Sequence, residues 1–556
     1  MGVPKFFAWL IKNYKKDKIV FQKEKDDVES IDWLLIDTNC MLHPKCFEVL
    51  AEEQKKDNVN FKSLQNKMMN ASIQYIERII EYVEPGKGVY IAIDGPVCCA
   101  KIKQQRQRRF RSVHDKLLFD NIKTKYNKPI PYFWNNSAIS PGTKFMEKLN
   151  LKIIKWAEEY KKKNNIQIIY SSANVPGEGE HKLLNFIKEN SSKDLSYVTY
   201  GLDADLIFLM LVTKSEKIYL LREAQQFESK ASKDQLNFVS IKRLRESIYE
   251  SFKKSIDNKN LDKNRIINDF IFLCYFLGND FLPHILALDI SKNGIDYIVN
   301  KYSQTFDEKI DYILSKDTKT INQEVLKLFL EKLAIDEESI LTENFSKHYK
   351  PKYQGSDNYE KEIFKIENLL FKINDPIGVG VDSDYRNKYY KHYFDVSDEE
   401  LEEFVEELVK NYLIGIRWVA HYYFQKNPDW FWYYTYDYPP FITDISKYLI
   451  NMNEIKFSEN KAMTPLEQLL IILPAQSKYL LPKSFERLVS NPESSLSHLY
   501  PVDFQIDFLY KHRYWEGIPQ LPPLEINLVR YAYKKYKDEL TKDEIHRNRL
   551  DKDQFI

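Results

Sequence analysis

Trp33-Leu34-Leu35-Ile36-Asp37 is the stretch from which the rest of the chain can be read. Four apolar residues in succession are closed by a carboxylate, with no polar alternation. A strand of that kind is covered on both faces, as parallel strands inside an α/β sheet are. Residues 89–94, 166–171 and 197–201 have the same form. Helical spacing separates the runs, over residues 61–82, the basic segment 101–121 and the amphipathic segment 143–163. The expected fold is therefore α/β, a mostly parallel central sheet flanked by helices. In such sheets ligands gather outside the carboxyl ends of the strands. Asp37, Asp94 and the loop carrying Asp203 and Asp205 fall there.

More acids stand at element ends. Pro176-Gly177-Glu178-Gly179-Glu180-His181 is a glycine-rich helix entry, opening a helix expected over 178–188, where backbone can come close to a ligand. Asp280 follows Gly278-Asn279, just past a buried helix expected over 265–277. Taken singly, each acid reads equally well as a cap or a turn residue. The set Asp37, Asp94, Glu178, Glu180, Asp203, Asp205 and Asp280 does not, because so many like charges in one place need cations between them. An all-oxygen site suits Mg2+ or Mn2+, and two ions about 3.5–4 Å apart would serve phosphoester cleavage. His181 is expected beside this set without ligating it.

The segment Lys101-Ile102-Lys103-Gln104-Gln105-Arg106-Gln107-Arg108-Arg109-Phe110-Arg111 holds six basic residues and no acid. On a helix Lys101, Gln105, Arg108 and Arg109 share one face, able to converge on one anionic group such as a terminal phosphate. A solvated basic face is the plainer alternative. Placement seven residues after Asp94 favours phosphate binding beside the metal site. Farther on, Trp430-Phe431-Trp432-Tyr433-Tyr434 is dense in aromatics even for a chain with 38 Tyr. Most of these are expected in the core; one tryptophan stacking on a base is the minority reading, with His43 either a second platform or an ordinary loop histidine.

Lys+Arg 82 against Asp+Glu 81 leaves a net charge of +1, so nucleic acid must be held by local basic clusters and not by a global field. Five cysteines without metal-ligand spacing point to free thiols in a reducing compartment. No apolar run is long enough for a bilayer, no secretory or myristoylation signal is present, and residues 227–235 read as a polar loop. A haloacid-dehalogenase phosphatase is disfavoured because Asp37-Thr38-Asn39 lacks a second aspartate, and no P-loop sequence occurs. Four sections are expected: a nuclease core over 1–302, a variable linker or insertion over 303–384, a helical and aromatic-rich region over 385–505, and a tail segment over 506–556.

The blocks MGVPKFFAWL, IDTNCMLH, IDGPVCCAKIKQQRQRRFRS, ISPGTKFM, VPGEGEHK, YGLDADLIFL and FLGNDFLPH resemble, in order and spacing, those of the 5′-to-3′ exoribonuclease (XRN) family. So do YYKHYFDVSDEELEEF, WVAHYYFQKNPDWFWYYTYDYPPF and TPLEQLLIILPAQSKYLLP, the family's second region. The resemblance implies a sheet like that of flap endonucleases and other PIN-like nucleases. It implies processive degradation of single-stranded RNA with a 5′-monophosphate to nucleoside 5′-monophosphates, by two-metal-ion hydrolysis. The family's metal-binding acids fall on the seven carboxylates, and its 5′-phosphate pocket on Lys101, Gln105, Arg108 and Arg109, with Lys101 also adding charge near the reacting phosphate. Its base-stacking pair falls on His43 and on Trp430 or Trp432, the choice between the two being open. A short segment between the two regions and an early end resemble a minimal catalytic core without the large carboxyl-terminal extension. A monomer in the cytoplasm, with the nucleus also open, is the expected setting. A flap endonuclease acting on DNA and a catalytically silent RNA-binding scaffold are the competing readings.

Overall fold

The computed structural model describes residues 6–14, 17–22, 28, 30–56, 61–213, 215–224, 235–257, 260–346 and 351–556. The quoted run forms β2 (Trp33–Asp37), fully buried along its length. Beside it stand β3 (Gly88–Ala92), β4 (Gln167–Ser171), β5 (Tyr197–Tyr200) and β6 (Ile218–Glu223). Strands β1 (Val20–Phe21), β7 (Leu236–Ser240) and β10 (Gln554–Phe555) complete a sheet of order β1-β7-β6-β5-β2-β3-β4-β10. Its five central strands are parallel, and the pairings β1–β7, β7–β6 and β4–β10 are antiparallel. The small hairpin of β8 (Ile506–Asp507) and β9 (Ile518–Pro519) lies apart. Side-chain alternation explains the unbroken apolar runs: Trp33, Leu35, Tyr90 and Ala92 join one core, while Leu34, Ile36, Val89 and Ile91 join the other.

The expected helices are observed as Phe61–Val83, Cys99–Lys125, Lys144–Asn164 and Gly179–Glu189. Helix Lys263–Cys274 continues as a 3-10 turn, Tyr275–Leu277, and stops at Gly278, whose φ of 84° frees the chain to reverse toward Asp280. The loop expected at 227–235 lies, but for Gln235, outside the described residues.

The expected sections are closely interwoven in the structure. The boundary at 302/303 falls inside helix Gly294–Lys309, and the 303–384 stretch is no simple linker. Helix Gln323–Ala334 within it buries Val325, Leu326, Phe329, Leu330 and Leu333 in the main core. That apolar stripe has helical period, hidden in the sequence by the charged residues of its outer face. The tail is likewise woven in. Gln554 and Phe555 pair with Tyr170 and Ile169, Asp553 accepts from Tyr90 Oη at 2.5 Å, and Asn174 Nδ2 donates to the Arg549 carbonyl at 2.8 Å. Among the described residues, no helix is long and apolar enough to cross a membrane.

Candidate active site

Three neighbouring parallel strands deliver three of the acids. Asp37 ends β2, Asp94 follows β3, and Asp203 follows β5 as the N-cap of helix Ala204–Val212, so strand order alone brings them to one edge. Glu178 is the N-cap of helix Gly179–Glu189, with Glu180 in its first turn, and Asp205 is in the first turn of Ala204–Val212. Both helices aim their positive ends at the carboxylates. Asn39 ties the strand ends together, donating to Asp94 Oδ2 at 2.8 Å while its Oδ1 accepts from the Asp94 amide at 3.3 Å. The Gly179 amide donates to Asp94 Oδ1 at 2.7 Å. Position 179 has no room for a side chain, because a Cβ there would sit 2.8 Å from Asp37 Oδ1.

Lys101 bonds to two of the acids directly, lying 2.5 Å from Glu178 Oε2 and 2.6 Å from Asp280 Oδ2. Tyr422 donates to the other Glu178 oxygen at 2.8 Å. Burial and the neighbouring acids raise Asp37 and Glu180 well above the carboxylate range, and burial with Asp280 raises Asp205 to about 7. Burial outweighs Lys101 at Glu178 and raises it too. Asp280 differs: burial pushes it up, but the Lys101 ammonium overrides that and holds it well below the usual range. Three buried oxygens, Asp37 Oδ1, Glu180 Oε2 and Asp205 Oδ1, have no hydrogen-bond partner among the described residues. Buried carboxylate oxygens left bare and close to like charges fit a hard divalent cation, which meets the same need that a donor would. Glu178, Glu180 and His181 bring ligand atoms within 4.8 Å of one another. The His181 ring also packs at a tilt against Tyr422, 3.8 Å between centroids, and burial holds its pKa well below the usual value.

A cavity of about 480 Å³ opens over this floor. Asp37, Asp94, Glu178, Glu180, Asp203 and Lys101 line it, with Gln105, Arg108, Arg109 and His43 on the facing wall. Asp205 lies beneath, buried, and Asp280 lies behind Lys101, outside the lining. Arg109 donates to Ser140 Oγ at 2.7 Å and has a buried Nε with no partner among the described residues. Burial and Arg108 push its pKa down to about 9. Gln105 is positioned from behind by Gln468, whose Nε2 donates to its Oε1 at 3.3 Å.

Neither Trp430 nor Trp432 lines the cavity. Trp432 stacks on Trp418 at 5.1 Å, and Trp418 stacks on Tyr422 at 4.8 Å, so this aromatic column backs Glu178. The Trp430 carbonyl accepts from the Cys99 amide at the start of the basic helix. Sequence reasoning passed over Asn39, Tyr422 and Phe47. Phe47 lines the cavity, is 43% exposed, and stands one helical turn after His43. That i, i+4 spacing was the available signal.

Residues 1–224 match the XRN 5′-3′ exonuclease N-terminus, and residues 260–371 and 370–556 match the Xrn1 helical domain. The chain belongs to the XRN family. The 5′-3′ exoribonuclease 2 of Debaryomyces hansenii is 29% identical to it over 739 residues, 99% of this chain and 71% of that protein. The human 5′-3′ exoribonuclease 1 is also 29% identical, over 99% of this chain and 35% of its own length. A solved structure of the catalytic core of Rad2 with DNA substrate superposes at a TM-score of 0.30, with 13% identity over 73% of this chain and 98% of the other. Membership in the XRN family, together with the acidic floor, makes the chain a metal-dependent exoribonuclease.

Proposed function

We propose that this XRN enzyme degrades single-stranded RNA bearing a 5′-monophosphate, processively from that end, and releases nucleoside 5′-monophosphates. The observation that carries the reading is the Arg109 guanidinium, half-buried over the acidic floor, with no carboxylate partner among the described residues. Such a cation is costly unless an anion joins it, and its planar fork suits a phosphate dianion. Arg108 and Gln105 extend the same wall, and Lys101 closes it at the floor.

Asp37, Asp94, Glu178, Glu180, Asp203, Asp205 and Asp280 would hold Mg2+ or Mn2+, two ions in our reading. Bound there, they supply Lewis-acid charge at the scissile phosphate and a more acidic water. The terminal phosphate on Arg108 and Arg109 fixes the register of the first nucleotide, so the bond presented to the floor is the next one along. Lys101 adds positive charge where negative charge develops on the phosphoryl oxygens. His43 and Phe47 offer faces on which the leading bases stack.

The same RNA is compared with 5′-monophosphate, 5′-hydroxyl and 5′-triphosphate ends, with Mg2+ present. The monophosphate form is expected to decay at least about tenfold faster than the hydroxyl form, which lacks the charge-assisted bonds. The triphosphate is excluded by size. Equal rates for the three would remove the pocket assignment and leave the metal floor standing.

A further inference from the structure

Behind the Lys101–Asp280 pair lies a second cavity, of about 260 Å³, which Asp280, Asn279 and Gln104 line on the active-site side. It joins a third, of about 280 Å³, through shared walls at Lys511, Tyr510, Leu286 and Glu516, and that third cavity ends at Trp515, 60% exposed. The result is a groove leading from the back of the acidic floor to solvent, on the opposite side of Lys101 from the phosphate pocket.

Its chemistry is that of a site for a small anion with an apolar body. Lys511 lines both halves, and its ammonium makes no ion pair among the described residues. Burial pushes its pKa down, against the through-space pull of Asp507 and Glu516. The acids that face it are otherwise engaged. Asp280 is bonded to Lys101 at 2.6 Å and Asp437 to Lys103 at 2.9 Å, Glu516 accepts from the His512 and Arg513 amides at 2.8 and 3.2 Å, Asp507 accepts from Tyr438 Oη at 2.8 Å and the Leu509 amide at 2.9 Å, and Asp289 accepts from the Ser291 amide at 2.7 Å. Asn279 Nδ2 and Gln104 Oε1 are buried without partners among the described residues at the inner end, where a ribose or base edge would meet them. Tyr393 and Leu286 give apolar wall, and the volume is that of a small-ligand site.

We propose that this groove binds a nucleoside 5′-monophosphate, the product on its way out, with Lys511 holding the phosphate. The proposal rests on the exoribonuclease reading for the identity of the ligand. Separate entry and exit sides would let the shortened RNA advance into the phosphate pocket without first displacing the product.

The test is calorimetric titration of the purified full chain with 5′-AMP, with adenosine and inorganic phosphate as partial probes. Wild type is expected to bind two equivalents. Arg109→Ala should keep one, Lys511→Met should keep one with affinity at the lost site at least about tenfold weaker, and the double variant should keep none. Lys511→Arg should restore the second equivalent, which guards against a folding defect. A Lys511→Met isotherm identical to wild type, or a single wild-type equivalent abolished by Arg109→Ala, overturns the proposal. RNA decay is measured on the same preparations. Loss of decay with two AMP equivalents retained would count against the enzymatic reading and leave the groove in place.

Discussion

Along helix Cys99–Lys125, Lys103, Arg106 and Arg111 turn away from the cleft and are met by protein acceptors, whereas Arg108 and Arg109 turn toward it and keep donors unused. Lys103 reaches Asp437 and the Tyr434 and Tyr436 carbonyls. Arg106 donates to the carbonyls of Pro522 and Leu499 at 2.9 and 2.7 Å. Arg111 donates to Asp115, Gly517 and Tyr514, each at 2.7 Å. Arg109 donates to Ser140 Oγ and weakly to the Gln105 carbonyl but has a buried Nε with no partner among the described residues, and Arg108 is exposed without an ion pair among them. The two faces have nearly the same composition. What separates them is satisfaction: one face latches the 434–522 region onto the core, and the other holds donors in reserve for a ligand.

Lys101 tests this contrast hardest, since it faces the cleft and yet has acid partners. Lys101→Met leaves Glu178 and Asp280 without their shared cation, and the expected loss is about 10²–10³-fold in single-turnover decay. Melting of the metal-free variant should show about 3–5 kcal/mol of lost stability, part of it regained on adding Mg2+, which supplies the missing charge. A variant within tenfold of wild-type rate would take Lys101 out of the chemistry.

Arg111→Met probes the latching face. Removing it strands three acceptors, and chemical denaturation should report about 2–4 kcal/mol of lost stability. The ratio of rates on 5′-monophosphate and 5′-hydroxyl RNA should not move. A changed ratio would mean that the two faces are not functionally separate.

Arg109→Met should do the reverse. The end-group ratio falls about 10–100-fold, the worth of one or two charge-assisted bonds. Stability holds or rises slightly, because a buried guanidinium without an acid is removed. A loss of stability like that of Arg111→Met would make Arg109 another latch.

The unequal satisfaction of the two faces explains how far the sequence could be read. Asp37, Asp94 and Asp203 were legible because each follows an apolar run, and neighbouring parallel strands place such ends along one edge, while Glu178, Glu180 and Asp205 were legible from the helix entries that carry them. The Lys101, Gln105, Arg108 and Arg109 face was legible from helical period alone. The roles of Arg106 and Arg111 were not, because, apart from Asp115, their acceptors are backbone carbonyls about 400 residues away, and every residue has a carbonyl. The tryptophans were hard to assign for a related reason. An aromatic run says that rings will pack, while the choice between a base and Trp418 is settled only by what tertiary structure puts next to them. β1 and β10, two residues each, carry no period at all.

The smallest effect expected belongs to His43, where the unsatisfied face acts on a neighbour. Burial, then Arg109 and Arg108, lower its pKa from 6.5 to about 4. The unfolded chain therefore takes up this proton near pH 6.5, and the folded chain does not until about pH 4. Stability contributed by the neutral ring is fully present above the unfolded value and is lost as pH falls through that window. Urea denaturation of wild type and His43→Gln across it should diverge by about 1–2 kcal/mol, discounted for partial exposure, with wild type losing more on acidification. In the Arg109→Met background one of the two cations is gone, so the window narrows and its lower edge moves up. A His43 contribution indifferent to Arg109 would show that the guanidinium is screened from the cleft, and with that the contrast between the two helix faces would lose its electrostatic basis.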